Sequence, residues 1–429
     1  MKSKKTAAPA AQSDQPTMKT YTYEKSHALF KRAAKVIPCG IYGHYSPAPC
    51  IPVDDYPFFS QKGKGSHFWD ADDNEFIDYM CAYGPMVMGY NHTKIDNAYK
   101  AQMKIGNTVT GAPMIMVELA EYLVDLIPMA DWAFFAKNGA DVTNLAVMAA
   151  RSATGRKKII AIKGHYHGAS AWMQSMGHPG VIEEDQENVI RVDWNDVAAI
   201  ERVIAAHPNE IAGFIATPYH HPVFADNAMP AAGYWQRVEA LLRKNGIVII
   251  VDDVRTGFRL HMGGSCEYFG FKPDLVCFCK ALANGYPISA LVGTDALKNA
   301  TAKVFYTGSY WFSAGPMAAA LACLKEMKEM NASQVMLDQG KKLCDGLLDI
   351  AKGYNVPLKV TGATSMPYVS IDTPNGLMMF QELCGECTRR GAFFTSHHNW
   401  FLSTAHTDAD IQQTWDIFDD ALKAVKQRY

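Results

Sequence analysis

The chain has 429 residues, 48% of them hydrophobic, enough for two domains with large apolar cores. Its 41 basic and 43 acidic side chains leave a net charge of −2 and no basic stripe, which argues against nucleic acid or an anionic membrane surface as partner and for a small-molecule enzyme. No apolar run reaches the length of a membrane span, the first residues lack the hydrophobic run of a leader, and ten cysteines in so long a chain read as reduced thiols, so a cytoplasmic location is expected.

Residues 1–20 read as a disordered tail, with Met18 as a second candidate start. Over 21–37, Leu29, Phe30, Ala33, Ala34 and Val36 recur at helical spacing until Pro38 stops them. An irregular stretch, CGIYGHYSPAP, follows. The pattern then predicts a helix over 116–127 and a short strand over 132–135. Next, KNGAD leads into a helix whose apolar positions are Val142, Leu145, Ala146 and Ala149, with Gly155 as its stop. A small-residue turn opening a helix offers free backbone N–H groups and the positive end of a dipole, a place for a phosphate. The strand over 159–162 runs into Gly164-His165-Tyr166-His167-Gly168. Its two histidines lack a third ligand at metal spacing and read as turn residues with local hydrogen bonds.

A strand over 211–216 ends in Thr217-Pro218-Tyr219-His220-His221, and Tyr234, Trp235, Val238, Leu241 and Leu242 mark the crossover helix that Gly246 closes. Two apolar runs, 247–251 and 275–279, then match buried parallel strands, and each ends in a charge, Asp252 and Lys280. In open α/β sheets ligands sit beyond the carboxyl ends of the strands, so these two groups are expected in one crevice. An amine and a carboxylate so delivered are the minimum equipment for pyridoxal phosphate. The lysine holds the aldehyde as a Schiff base, and the aspartate keeps the pyridine nitrogen protonated so that the ring accepts electrons from the substrate's Cα–H bond. A strand-end lysine taken alone is more often a charge reaching solvent. Further on, Thr307-Gly308-Ser309 precedes the helix AGPMAAALACLKEM. The spacing predicts a helix over 338–352, strand character over 358–368 and a helix over 377–390. Cys384 and Cys387 fall on that last helix without a zinc-spaced partner pair, and Cys277 and Cys279 flank Phe278 as small core residues.

The ordered set VDDVRTGFR, KPD, a strand ending in Lys and ANGYPISALVG resembles the class III pyridoxal-phosphate aminotransferases of fold type I. RAAKVIP, FWDAD, FIDYMCAYGPMVMGYNH and SHHNWFLSTAHTDADI are similar to the glutamate-1-semialdehyde aminomutase-like branch. The resemblance implies an α/β fold: a large domain, 76–325, with a mostly parallel central sheet, and a smaller α+β domain drawn from both termini, 21–75 and 326–429. It implies Lys280 as the Schiff-base lysine and Asp252 as partner of the pyridine nitrogen. Asn138, Gly139 and Ala140 match the family's Ser-Gly-Thr-Glu element, which holds the cofactor phosphate, with Asp141 in place of Glu. Tyr166 matches the aromatic residue stacked on the cofactor ring, and Val254 the residue on its other face. Ser309, with Thr307 in reserve, matches an element that reaches the neighbouring subunit's phosphate, which implies a homodimer with shared sites. Tyr83 would be an aromatic wall of the substrate pocket. Thr217 replaces the family's acid, leaving His221 or His220 for the cofactor's phenolic oxygen.

Two departures bear on the substrate. The aminomutase carries an arginine for the substrate carboxylate where this chain has Tyr45-Ser46, and a longer lid-forming insertion where this chain runs only over 169–181. They favour an amine without an α-carboxylate and release of the keto product, leaving Arg255 or Arg389 for the oxo acid. In its nearest form, with MCAYGP, KNGAD, VDDVR, TGSYWFSAGP and HHNWFLSTAHT, the chain resembles bacterial aminotransferases that deaminate fumonisin-type long-chain aminopolyols. That resemblance implies a ping-pong transfer to a 2-oxo acid such as pyruvate. The alternatives are a 2,1-aminomutase of the semialdehyde type, a racemase or decarboxylase on the same cofactor, and a non-catalytic cofactor-binding protein. The last requires Lys280 or Asp252 to be lost, and both are present.

Overall fold

The computed structural model describes residues 16–48, 50–174 and 177–429. Most of the tail expected at 1–20 lies outside the described residues. Its last part is held: Thr17 and Met18 donate their backbone N–H groups to the Asp420 carboxylate at 2.6 and 3.1 Å, on the C-terminal helix Asp408–Lys426.

Among the described residues seven strands form the central sheet, in the spatial order Trp132–Ala136, Ser289–Gly293, Leu275–Phe278, Val248–Asp252, Ile211–Ala216, Lys158–Ile162 and Val189–Val192. Neighbours from Leu275–Phe278 to Val189–Val192 pair in parallel, and Ser289–Gly293 runs against both of its own neighbours. Every residue of Ile211–Ala216 and Val248–Asp252 is buried. Helices cover both faces of such strands, so they read as unbroken apolar runs without alternation. On one face Val142, Leu145, Ala146 and Ala149 of the helix Gly139–Thr154 share a cluster with Ile159, Ala212, Ile250 and Leu275. Val238 and Leu242 of the crossover helix Tyr234–Lys244 share the other cluster with Phe214, Ile249 and Val251.

A second sheet joins the two ends of the chain. Ser60–Lys64, His67–Asp70 and Glu75–Asp78 pair antiparallel, and Ala392–Phe393 adds in parallel beside Glu75–Asp78. The region expected as one strand over 358–368 is instead a hairpin, Leu358–Thr361 paired antiparallel with Tyr368–Ile371. The break sits at Gly362, whose φ of 84° turns the chain back, a backbone state that glycine adopts at little cost. The first helix is shorter than its apolar pattern, Glu24–Ala33, and the helix expected over 338–352 extends to Ala332–Gly353. Cys384 and Cys387 are buried on the helix Gly376–Thr388 and unpaired. Among the described residues no group of three or more His, Cys, Asp or Glu could hold a metal, and no helix is long and apolar enough to cross a membrane.

Candidate active site

Asp252 is the last residue of its strand, and Lys280 lies just past the end of the adjacent parallel strand Leu275–Phe278, opening the short turn Lys280–Ala283. Both line one cavity of about 470 Å³. Lys280 takes φ 39°, a left-handed state that residues with a Cβ seldom adopt, and buried Ala281, Leu282 and Ala283 hold the turn behind it. Burial, with the Arg255 guanidinium second, pushes the Lys280 ammonium down to about 7.

The Asp252 carboxylate is held on both oxygens. His167 Nδ1–H donates to Oδ2 at 2.8 Å, and the backbone N–H of Val254 donates to Oδ1 at 3.1 Å. The side chains of His167 and Asp252 are 3% and 5% exposed. His167 therefore corrects the expectation of a local turn residue, because its partner lies 85 positions away. His165 bonds differently: the Thr217 backbone N–H donates to its Nδ1 at 3.0 Å.

The turn carrying Tyr166 and His167 lies against the start of the helix Gly139–Thr154. Thr143 Oγ1 donates to the His167 carbonyl at 2.8 Å. A Cβ on Gly168 would sit 2.6 Å from the Ala140 Cβ, so this close approach requires glycine. At the helix start Asp141 Oδ2 accepts the backbone N–H groups of Asn138 and Lys137 at 2.8 and 3.1 Å. The shorter acid thus caps the loop. Among the described residues the N–H groups of Gly139 and Ala140 have no partner, and with Asn138 they line the cavity.

Tyr166, Val254, His221 and Arg255 line it as well. Arg255 Nη1 donates to His221 Nδ1 at 3.1 Å. A guanidinium only donates, so His221 accepts through Nδ1 and carries its proton on Nε2, which is buried without a partner among the described residues. Burial, then the Arg255 charge, holds His221 well below the usual histidine pKa and keeps it neutral. His220 turns away from the cavity, bridging to the backbone of Ala228 and stacking on His165 at 5.2 Å.

Four further expected residues are not brought to this cavity. Tyr83 donates its hydroxyl to the His44 carbonyl at 3.1 Å, stacks on the His44 ring at 5.3 Å and meets His398 edge-on at 5.2 Å. Thr307 and Ser309 are exposed outside it. Arg389 pairs with Asp55 at 3.6 Å. Sequence reasoning missed His167 and Asn399, whose Oδ1 accepts from Arg255 at 3.3 Å. The clue to His167 was its place beyond the carboxyl end of a parallel strand. Nothing local marked Asn399.

The donor set suits a molecule with a phosphate, an aldehyde and a protonatable ring: two free N–H groups at a helix start, a low-pKa amine, a fixed carboxylate and an unpartnered imidazole N–H. The family model for class III aminotransferases matches residues 51–422. The chain is 39% identical over 397 residues to the aminopentol aminotransferase of Sphingopyxis macrogoltabida, covering 92% of this chain and 93% of that one. It is 32% identical over 408 residues to the 3-aminobutyryl-CoA aminotransferase of Cloacimonas acidaminovorans, covering 94% and 98%. A solved structure of the FumI protein of Sphingopyxis sp. MTA144, in its PLP internal aldimine form, matches with a TM-score of 0.91 and 39% identity over 94% of this chain and 97% of that one. By family, fold and the make-up of its cavity, this chain belongs to the class III aminotransferases, pyridoxal-phosphate-dependent transaminases of fold type I.

Proposed function

We propose that the chain moves the amino group of a primary amine lacking an α-carboxylate, of the long-chain aminopolyol kind, to a 2-oxo acid such as pyruvate. The donor leaves as a carbonyl compound before the acceptor enters and leaves as an amino acid, so the exchange is ping-pong and needs no outside oxidant. The observation that carries this reading is the meeting of Lys280, Asp252 and a free helix start in one cavity. For the donor, the support is Tyr45. It stands where the aminomutase branch has its carboxylate arginine, and its ring packs on Phe58 at 5.4 Å and Phe393 at 5.9 Å. Both relatives are named for amines without a carboxylate beside the amino group. A 2,1-aminomutase of the semialdehyde type would lack its anchor here.

Pyridoxal phosphate, when bound, supplies an aldehyde that takes up the amino group and a ring that draws electrons from the neighbouring C–H bond. Asn138 and the N–H groups of Gly139 and Ala140 hold the phosphate, aided by the positive end of the helix. Tyr166 and Val254, which line the cavity, would flank the ring, and the unpartnered His221 Nε2–H would be free to donate to the ring oxygen. Asp252, aimed by His167 and by the Val254 N–H, keeps the proton on the ring nitrogen. With the cofactor bound, Lys280 Nζ would be the group placed to take the proton from the donor carbon and to give it back, and to do the reverse for the acceptor. Tyr83, with His44 and His398, forms a ring wall for the donor's chain. Thr307 and Ser309, beside Phe305 and Tyr310 at 91% and 70% exposure, serve the site of a second copy in a homodimer. All ten cysteines are unpaired, which supports a cytoplasmic setting.

The pH dependence follows from Lys280. Its ordinary pKa of 10.5 falls to about 7, so the proton-accepting form is lost as pH drops below that value. The donor half-reaction at saturating amine, followed by stopped flow, should fall about tenfold per unit below pH 7 and level off above it. A flat profile down to about pH 5 would remove Lys280 from the proton transfer. To test the substrate class, a panel of amines with pyruvate is assayed for alanine. Long-chain amino alcohols should outpace α-amino acids as donors, and the reverse order overturns the proposed donor.

A further inference from the structure

Of the buried arginines, Arg390 bonds to Asp420 at 2.9 Å and to Glu386. Arg259 donates to the carbonyls of Leu402 and Gly84 and lies over the Phe401 ring at 4.9 Å. Arg255 is 9% exposed and, among the described residues, has neither a carboxylate partner nor an aromatic ring beneath it. All its hydrogen bonds run through Nη1, to His221 Nδ1 at 3.1 Å, the His221 carbonyl at 3.0 Å and Asn399 Oδ1 at 3.3 Å. Among the described residues its Nε and Nη2 have no partner and no carboxylate pairs with it, yet it lines the cavity beside Lys280. The cavity's fixed carboxylate, Asp252, is already engaged by His167 and Val254.

A buried cation without a counter-ion is costly, and is stable in use where a ligand brings the missing charge. Nε–H and Nη2–H form one flat edge of the guanidinium, the fork that matches a carboxylate with two parallel hydrogen bonds. Three acceptors on Nη1 fix the plane of that fork before any ligand arrives, so little freedom is lost on binding. The surrounding histidines do not compete for an anion. Burial first, and the Arg255 charge after it, lowers His44, His221 and His398 below their usual pKa and leaves them neutral.

We propose that the Nε–H/Nη2–H edge of Arg255 grips the carboxylate of the 2-oxo acid and so selects the acceptor. This rests on the transaminase reading above and names the residue behind one half of it. A donor without a carboxylate leaves the edge unpaired. The same cavity can then take two unlike substrates in turn, with the charged contact reserved for the second.

The test compares pyruvate with an uncharged acceptor, butanal, in wild type, Arg255→Gln and Arg255→Lys, using one amine donor. For the glutamine variant kcat/KM with pyruvate should fall about 10- to 100-fold further than with butanal, chiefly through the KM for pyruvate, any loss through His221 or Lys280 being common to both acceptors. The lysine variant should recover only part of the loss, because an ammonium lacks the fork. Inhibition by propanoate, a carboxylate without the keto group, should weaken in parallel, and the pH limb set by Lys280 should move upward as the neighbouring charge is removed. Equal losses on pyruvate and butanal, or an unchanged KM for pyruvate, overturn the proposal. If the glutamine variant does not fold, the pyruvate-to-butanal ratio of the lysine variant decides. A wild-type protein that makes no alanine from any amine sinks the transaminase reading instead, a result distinct from an active wild type with an indifferent Arg255→Gln.

Discussion

Lys280→Ala should turn over amine and oxo acid at least about 10⁴-fold more slowly than wild type. A positioned general base alone contributes about 10²–10⁴ in rate, and in the proposed role this amine would also hold the cofactor covalently between turnovers. No other lysine lines the cavity among the described residues, so nothing nearby takes its place. The backbone is not asked for more, because alanine at φ 39° carries the same Cβ as the lysine it replaces. Borohydride reduction of the wild-type protein with its cofactor, followed by peptide mapping, should find the cofactor fixed to Lys280 and absent from the variant. Small primary amines added to Lys280→Ala should restore part of the proton transfer. Activity within about tenfold of wild type, or a label on another side chain, would refute the role.

Asp252→Asn should keep the fold and the cofactor while kcat falls about 10²–10³-fold. The amide has nearly the shape of the carboxylate and still accepts a hydrogen bond, so the contact with His167 Nδ1–H at 2.8 Å survives in geometry. What disappears is a fixed negative charge in a buried site, and one such charge at about 4 Å is worth about 4 kcal/mol at an effective dielectric near 20, the same size as the expected loss. Steady-state kinetics with the visible spectrum as a check on loading measures this. A variant that loads normally and keeps most of its kcat would mean that Asp252 does not sustain the charge on the ring. His167→Phe, which removes the aiming bond but leaves the carboxylate, should cost less.

How far the sequence reveals this site depends on the range of each contact. Asp252 and Lys280 were legible because strands buried on both faces leave uninterrupted apolar runs, and the first charge after such a run marks the strand end. The helix at Gly139–Thr154 was equally plain, from its apolar spacing and the glycine that closes it. His167 was not, since the tie that gives it meaning spans 85 positions. Arg255 was visible as a charge, but its isolation was hidden: Asn399, which steadies it, stands 144 positions away. The hairpin at 358–371 escaped for a local reason, because its apolar residues continue through a turn that only the backbone angle of Gly362 exposes. Thr307 and Ser309 lie exposed outside the cavity that holds Lys280, and nothing within the one chain gives them a role there.

The parallel pairing of Glu75–Asp78 with Ala392–Phe393 fixes an order of events at birth. At ribosomal speeds of about 5–20 residues per second, the strand made first waits on the order of 15–60 s for the neighbour that completes its sheet. During that interval its edge is open to other nascent chains, and protein released short of Ala392 never closes it.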